Sequence, residues 1–128
     1  SAAESMIAAA RLKPTLLARA GQRDDRERIQ PGERGLLVID DDSTYSRIVL
    51  DAAHERNHKV LVAGRGDMGL AMARKFRPNA ILLDIGLPDT TGWSVLDQLQ
   101  HDPDLRHVPI HVLSIYEDRR RGLPEEPL

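Results

Sequence analysis

Apolar residues along this chain fall in short blocks separated by stretches of mixed polarity. Leu36-Leu37-Val38-Ile39 and Ala80-Ile81-Leu82-Leu83 are unbroken apolar runs, each closed by an aspartate, Asp40 and Asp84. A run of this length with β-branched members reads as a strand buried on both faces of a parallel sheet. The pattern predicts strands over residues 36–40 and 80–84, a shorter one over 59–63, and a fourth over 108–113 with Pro109 near its start. Between them the apolar positions recur at helical spacing. Asp42 or Ser43 caps a helix to about Arg56, with Tyr45, Ile48, Val49 and Ala52 inward. Asp67 starts a second helix, through Leu70, Ala71 and Ala73 to about Phe76, which Pro78 prevents from continuing. Thr91 caps a third, carrying Trp93, Leu96 and Leu99 and stopping before Pro103. The series predicts an α/β, doubly wound parallel sheet with right-handed crossovers and helices on both faces.

The flanks differ. Residues 2–20 are rich in Ala and Leu and predict a helix interrupted near Pro14, whereas residues 21–35 are almost wholly polar and read as a solvated linker. The globular unit is expected to begin near Arg34. The chain then divides into residues 1–33, a helical extension with its linker, and residues 34–128, the main domain. In the charged C-terminal tail a helical turn is expected at residues 117–121.

Composition narrows the function classes. With 18 basic and 20 acidic side chains in 128 residues, the formal net charge is −2, without the basic footprint of a nucleic-acid binder. The chain has no cysteine, which excludes disulfides and thiolate chemistry. No apolar stretch approaches a membrane span, and no signal-peptide pattern opens the chain, so the expected location is the cytoplasm. The histidines His54, His58, His101, His107 and His111 show no metal spacing and read as surface or strand residues. Trp93 and Tyr45 are expected in the core or half-buried.

The aspartates carry the chemistry. In parallel sheets ligands bind beyond the carboxyl ends of the strands, so neighbouring first and third strands would deliver Asp40, Asp41 and Asp84 to one cleft. Like charges ~4 Å apart repel by about 4 kcal/mol at an effective dielectric of 20. A hard cation relieves that repulsion, and an all-oxygen donor set suits Mg²⁺. Helix capping explains one or two of Asp40, Asp41 and Asp42, but not the partner at Asp84.

Residues 36–114 resemble a receiver domain of two-component signalling. An acidic pair, Asp40-Asp41, follows the first strand; Asp84-Ile-Gly-Leu-Pro88-Asp-Thr-Thr-Gly92 follows the third; and Ser114 ends the fourth in His-Val-Leu-Ser. The intervals agree, with 43 residues from Asp41 to Asp84 and 30 more to Ser114. The resemblance implies a flavodoxin- or receiver-like strand order 2-1-3-4. It implies Asp84 as phosphoacceptor from a phosphohistidine, and Mg²⁺ held by Asp40, Asp41, Asp84 and the Gly86 carbonyl. It implies Ser114 as a switch hydroxyl, and Pro88 and Gly92 as residues shaping the acceptor loop. The implied partner is a histidine kinase or histidine phosphotransfer domain, with neither nucleic acid nor membrane. The module would be a phosphoacceptor rather than a conventional enzyme, excised from a hybrid sensor histidine kinase.

The family's fifth strand, the lysine that ends it and the fifth helix are expected to be missing, because the chain stops fourteen residues after Ser114. An uncovered sheet edge would then make a homodimer an option, and residues 2–20 could cover the surface that helix five buries. Three rivals remain open. Residues 36–44 also fit the opening of haloacid-dehalogenase-like phosphatases, with Asp40 as nucleophile, Asp42 as general acid and residues 111–114 as second motif. A degenerate receiver could serve only for docking. Gly64-Arg-Gly-Asp-Met-Gly69 formally matches a dinucleotide fingerprint, although a plain strand-to-helix turn is preferred.

Overall fold

The computed structural model describes residues 24–30, 33 and 35–113. Continuous apolar runs become strands because both sheet faces are covered and no position has to face water. The strands are β1 (Gly35–Ile39), β2 (Lys59–Ala63), β3 (Ala80–Asp84) and β4 (Ile110–Leu113), all parallel in the order β2-β1-β3-β4. The helices are α1 (Ser43–His54), α2 (Gly66–Phe76) and α3 (Gly92–Gln100). Predicted order, strand type and helix positions hold, with boundaries moved by one or two residues.

Alternation along the strands sorts the core into two layers. Leu37, Ile39, Leu61, Ala63, Ile81 and Leu83 face α2 and α3, where they meet Leu70, Met72, Ala73, Val95 and Leu99. Leu36, Val38, Val60, Ala80 and Leu82 face the other way, against Val49, Leu50 and Ala53 of α1. Each fully buried Leu or Ile contributes roughly 1.5–3 kcal/mol of transfer free energy, so the two-sided burial of β1 and β3 anchors the sheet. Helix starts follow the sequence: Asp42 accepts from the backbone N–H of Thr44 and Tyr45, and Thr91 accepts from that of Ser94. α2 differs, since its N-cap residue Arg65 gives no side-chain cap.

The polar stretch before β1 corrects an expectation. Residues 24–30 do not lie free in solvent; they pack on the outer edge of β2. The Asp25 N–H donates to the Val60 carbonyl (2.8 Å), and an Asp25 carboxylate oxygen accepts from the Val60 N–H (2.7 Å). Asp24 accepts from the Val62 N–H (2.7 Å), while Arg26 donates to the Val62 carbonyl (3.0 Å). Four backbone groups that a bare edge strand would expose are thereby occupied. Asp25 is only 2% exposed, with His54 at 2.7 Å and Arg28 at 2.9 Å. Asp24 would be raised by burial, but the hydrogen bonds from Arg26 and Val62 outweigh this and hold its carboxyl below the ordinary value. His54, expected as an ordinary surface residue, belongs to this clamp. The helix expected over residues 2–20 and the turn at 117–121 lie outside the described residues.

Candidate functional site

Register brings the acids together. Ile39 pairs with Leu83, so Asp40, one step past β1, stands beside Asp84 at the end of β3. The Asp40 N–H is fixed by the Ala63 carbonyl at 2.9 Å, and its carboxylate accepts from the Asp42 N–H at 2.9 Å. Asp40, Asp41 and Asp84 each offer a carboxylate oxygen, and these oxygens lie within 4.8 Å of one another. Asp41 is exposed, while Asp40 and Asp84 are half-buried. Asp42 stays out of the cluster because its carboxylate caps α1, at 3.0 and 3.1 Å from two backbone N–H groups.

Burial pushes the Asp40 carboxyl up to about 7, opposed by the Asp42 N–H and reinforced by the charge of Asp84. Burial also raises Asp84, against hydrogen bonds from the backbone N–H of Gly86 and Ile85 and together with the charge of Asp41. Carboxylates that resist ionisation side by side are what a divalent cation would relieve, and the donors are all hard oxygens. The residues present therefore fit such an ion.

The loop after Asp84 is tightly closed. Gly86 bridges to Thr91, and the Gly92 N–H donates to the Ile85 carbonyl at 2.7 Å. A Cβ on Gly92 would lie 2.4 Å from the Asp84 carbonyl oxygen, so no larger residue fits where α3 leaves the site. The Ile85 N–H donates to the carbonyl of Leu113, tying the end of β3 to β4 (3.0 Å). Ser114, the next residue, lies outside the described residues. Trp93 departs from expectation: it is 55% exposed at the start of α3, because Val95 and Leu99 supply that helix's buried face. Tyr45 is partly buried against the α1 layer, as expected. Gly64-Arg65 forms the turn between β2 and α2. Among the described residues no helix is long and apolar enough to cross a membrane.

Residues 36–123 match the family model described as the response regulator receiver domain. The chain belongs to that family. It is 34% identical over 89 residues to the probable transcriptional regulatory protein TcrX of Mycobacterium tuberculosis, covering 69% of this chain and 38% of that protein. It is 33% identical over 91 residues to the response regulator PleD of Caulobacter vibrioides, covering 69% of this chain and 20% of PleD. The chain thus spans well under half the length of these two relatives. Its fold is similar to the receiver domain of sensor histidine kinase PA1611 from Pseudomonas aeruginosa, solved with magnesium coordinated in the active site cleft. That likeness has a TM-score of 0.61 at 23% identity, over 69% of this chain and 75% of that one. The Mn²⁺-bound form of response regulator Rcp1 is similar too, with a TM-score of 0.58 at 28% identity over 63% of this chain and 65% of that one. This receiver is therefore a domain of two-component signalling, and its four described strands follow the order β2-β1-β3-β4.

Two structural details escape sequence reading. Asp24 and Asp25 sat in a polar run whose composition carries no hint of backbone pairing. Asp89 lies inside the Asp84–Gly92 stretch, where Pro88-Asp89 ahead of a threonine pair is a turn signal that does not disclose a partner in α2.

Proposed function

We propose that Asp84 accepts a phosphoryl group from the phosphohistidine of a histidine kinase or phosphotransfer domain, with Mg²⁺ held by Asp40, Asp41, Asp84 and the Gly86 carbonyl. The observation that carries this reading is the convergence of three carboxylate oxygens within 4.8 Å at the carboxyl ends of β1 and β3. A bound cation supplies charge neutralisation as the dianionic donor approaches. The Asp84 oxygen attacks phosphorus, the phosphorus–nitrogen bond breaks, and imidazole leaves; the product is an acyl phosphate. The backbone N–H groups of Gly86 and Ile85 beside the Asp84 carboxylate favour its ionised form, the form that attacks. Ser114 follows Leu113 directly, and in this reading its hydroxyl donates to the phosphoryl group and biases the loop after β4 between two positions. A cytoplasmic setting goes with the partner.

Asp42 supports Asp84, rather than Asp40, as nucleophile. Its carboxylate is engaged with the first turn of α1 and is not poised as a general acid. Mass spectrometry after treatment with Mg²⁺ and beryllofluoride, or with a small phosphodonor, is the test. Asp84→Asn is expected to abolish the adduct, while Asp42→Asn, which preserves the cap, leaves it largely intact. Loss in Asp42→Asn with retention in Asp84→Asn would overturn the assignment in favour of phosphatase-like chemistry at Asp40.

A further inference from the structure

The acceptor loop is held from outside itself. α2 begins at Gly66 with no side-chain cap from Arg65, and the missing acceptor comes from residue 89, in the loop after β3. One Asp89 carboxylate oxygen accepts from the Gly66 N–H at 2.7 Å, and the other from the Asp67 N–H at 3.0 Å. Arg65 adds a guanidinium 3.9 Å from the same carboxylate. Hydrogen bonds from Gly66 and Asp67, with the charge of Arg65, hold Asp89 below its ordinary range, so it is ionised when it caps. An anionic cap on orphan N–H groups at a helix start is favourable through both the hydrogen bonds and the helix dipole.

A second contact makes the same junction. A Cβ on Gly66 would lie 2.4 Å from Cγ2 of Thr90 and 3.0 Å from Cγ2 of Val95. The acceptor loop and the first turn of α3 therefore rest directly on the backbone of α2. The loop is pinned at its ends by Gly86–Thr91 and Gly92–Ile85, and in between by Asp89. Gly86, a member of the proposed metal site, lies on the opposite limb of the same short loop.

We infer that Asp89 is a positioning residue for this receiver's reaction: by capping α2 across the cleft it fixes the acceptor loop, and with it the Gly86 carbonyl, against the acidic cluster. The inference rests on the proposed metal and phosphoacceptor site and adds a residue to it. Groups that orient ligands from outside the coordination sphere typically change metal affinity 10- to 100-fold. Asp89 acts at one remove from a single carbonyl, so the lower end applies.

Trp93 is the sole tryptophan, sits beside the loop and is exposed, so its fluorescence reports Mg²⁺ titration of the whole 128-residue chain. Asp89→Ala is expected to weaken Mg²⁺ binding about tenfold. Asp89→Asn keeps one accepting oxygen and is expected to stay within about threefold. The control is Asn79→Ala, which removes the acceptor of the Gly35 N–H (2.8 Å) at the opposite end of the sheet. It is expected to lower thermal stability while leaving Mg²⁺ affinity unchanged. Affinity in Asp89→Ala equal to that of the parent would overturn the inference, as would equal weakening in Asn79→Ala. If the parent forms its Asp84 adduct in either case, the proposed function survives and only the positioning role falls; a parent with no Mg²⁺ response removes both. Should Asp89→Ala fail to fold, hydrogen exchange of the parent decides: Gly66 and Asp67 amides exchanging like open-loop amides would refute the cap.

Discussion

Asp40→Asn is expected to make the metal-free protein more stable while removing its response to Mg²⁺. Three carboxylate oxygens lie within 4.8 Å of one another. At an effective dielectric of 20, one ionised pair at ~4.8 Å costs about 3.5 kcal/mol before solvent is considered. Asp40 is only half-buried and Asp41 is exposed, so screening reduces the recoverable part to about 1–2 kcal/mol. The amide oxygen of asparagine can still accept the Asp42 N–H, so the turn after β1 survives. The sign follows from the raised Asp40 carboxyl. The folded state holds this proton more tightly than the unfolded chain, with a value near 7 against the ordinary 3.8. Stability without metal therefore falls as pH rises from about 4 through 7, and the parent carries the whole penalty above that window. The variant has no such group, so the stability gap should be small at pH 4–5 and complete by about pH 8. For a domain of this size 1 kcal/mol moves the melting temperature by roughly 4–8 °C. At a Mg²⁺ concentration 100 times Kd the parent should gain about 2.7 kcal/mol, and the variant little of it. Thermal unfolding in chelator and in Mg²⁺ across this pH range measures all of these quantities. An Asp40→Asn protein no more stable than its parent at pH 8 in chelator, or a gap equal at pH 5 and 8, would refute the electrostatic account.

Asp25→Ala should destabilise by about 2–4 kcal/mol in urea unfolding, since it strands the Val60 N–H and removes the partner of His54 and Arg28. The Val60 amide should lose hydrogen-exchange protection with it, whereas Asp25→Asn, which keeps an acceptor, should cost about half as much. Gly92→Ala places a methyl 2.4 Å from a backbone oxygen that cannot swing aside; the expected loss is about 1–3 kcal/mol by thermal unfolding, with slower adduct formation at Asp84.

What could be read from the residues, and what could not, follows from how each signal is encoded. β1 and β3 were legible because burial on both faces leaves no position for a polar residue. Leu36 to Ile39 and Ala80 to Leu83 are at most 1% exposed. The convergence of Asp40, Asp41 and Asp84 was legible because a parallel sheet with adjacent β1 and β3 allows one place for residues just past the strand ends. The β2 edge clamp was not legible. Asp24 and Asp25 look like solvated charges in any composition, and only three dimensions reveal carboxylates standing where a neighbouring strand's carbonyls would be. Trp93 misled because it was grouped with Leu96 and Leu99 on the third helix, whereas the buried face is formed by Val95 and Leu99.

Asp89 is instructive for a different reason. Caps are normally sought one to three residues before a helix, and Arg65 offers none. Its substitute lies 23 residues on from Gly66, so a local search fails by construction. The displacement has a consequence for the site. A cap drawn from α2's own leader would stabilise α2 alone, whereas one drawn from the acceptor loop makes the start of α2 and the shape of that loop a single condition. Strain placed on the loop at Asp84 must then be shared with α2, and anything that frays the first turn of α2 must loosen the loop. On this view Asp40, Asp41 and Asp84 supply the charge that selects a cation, while the Asp89–Gly66 junction decides how rigidly the rest of the site meets it.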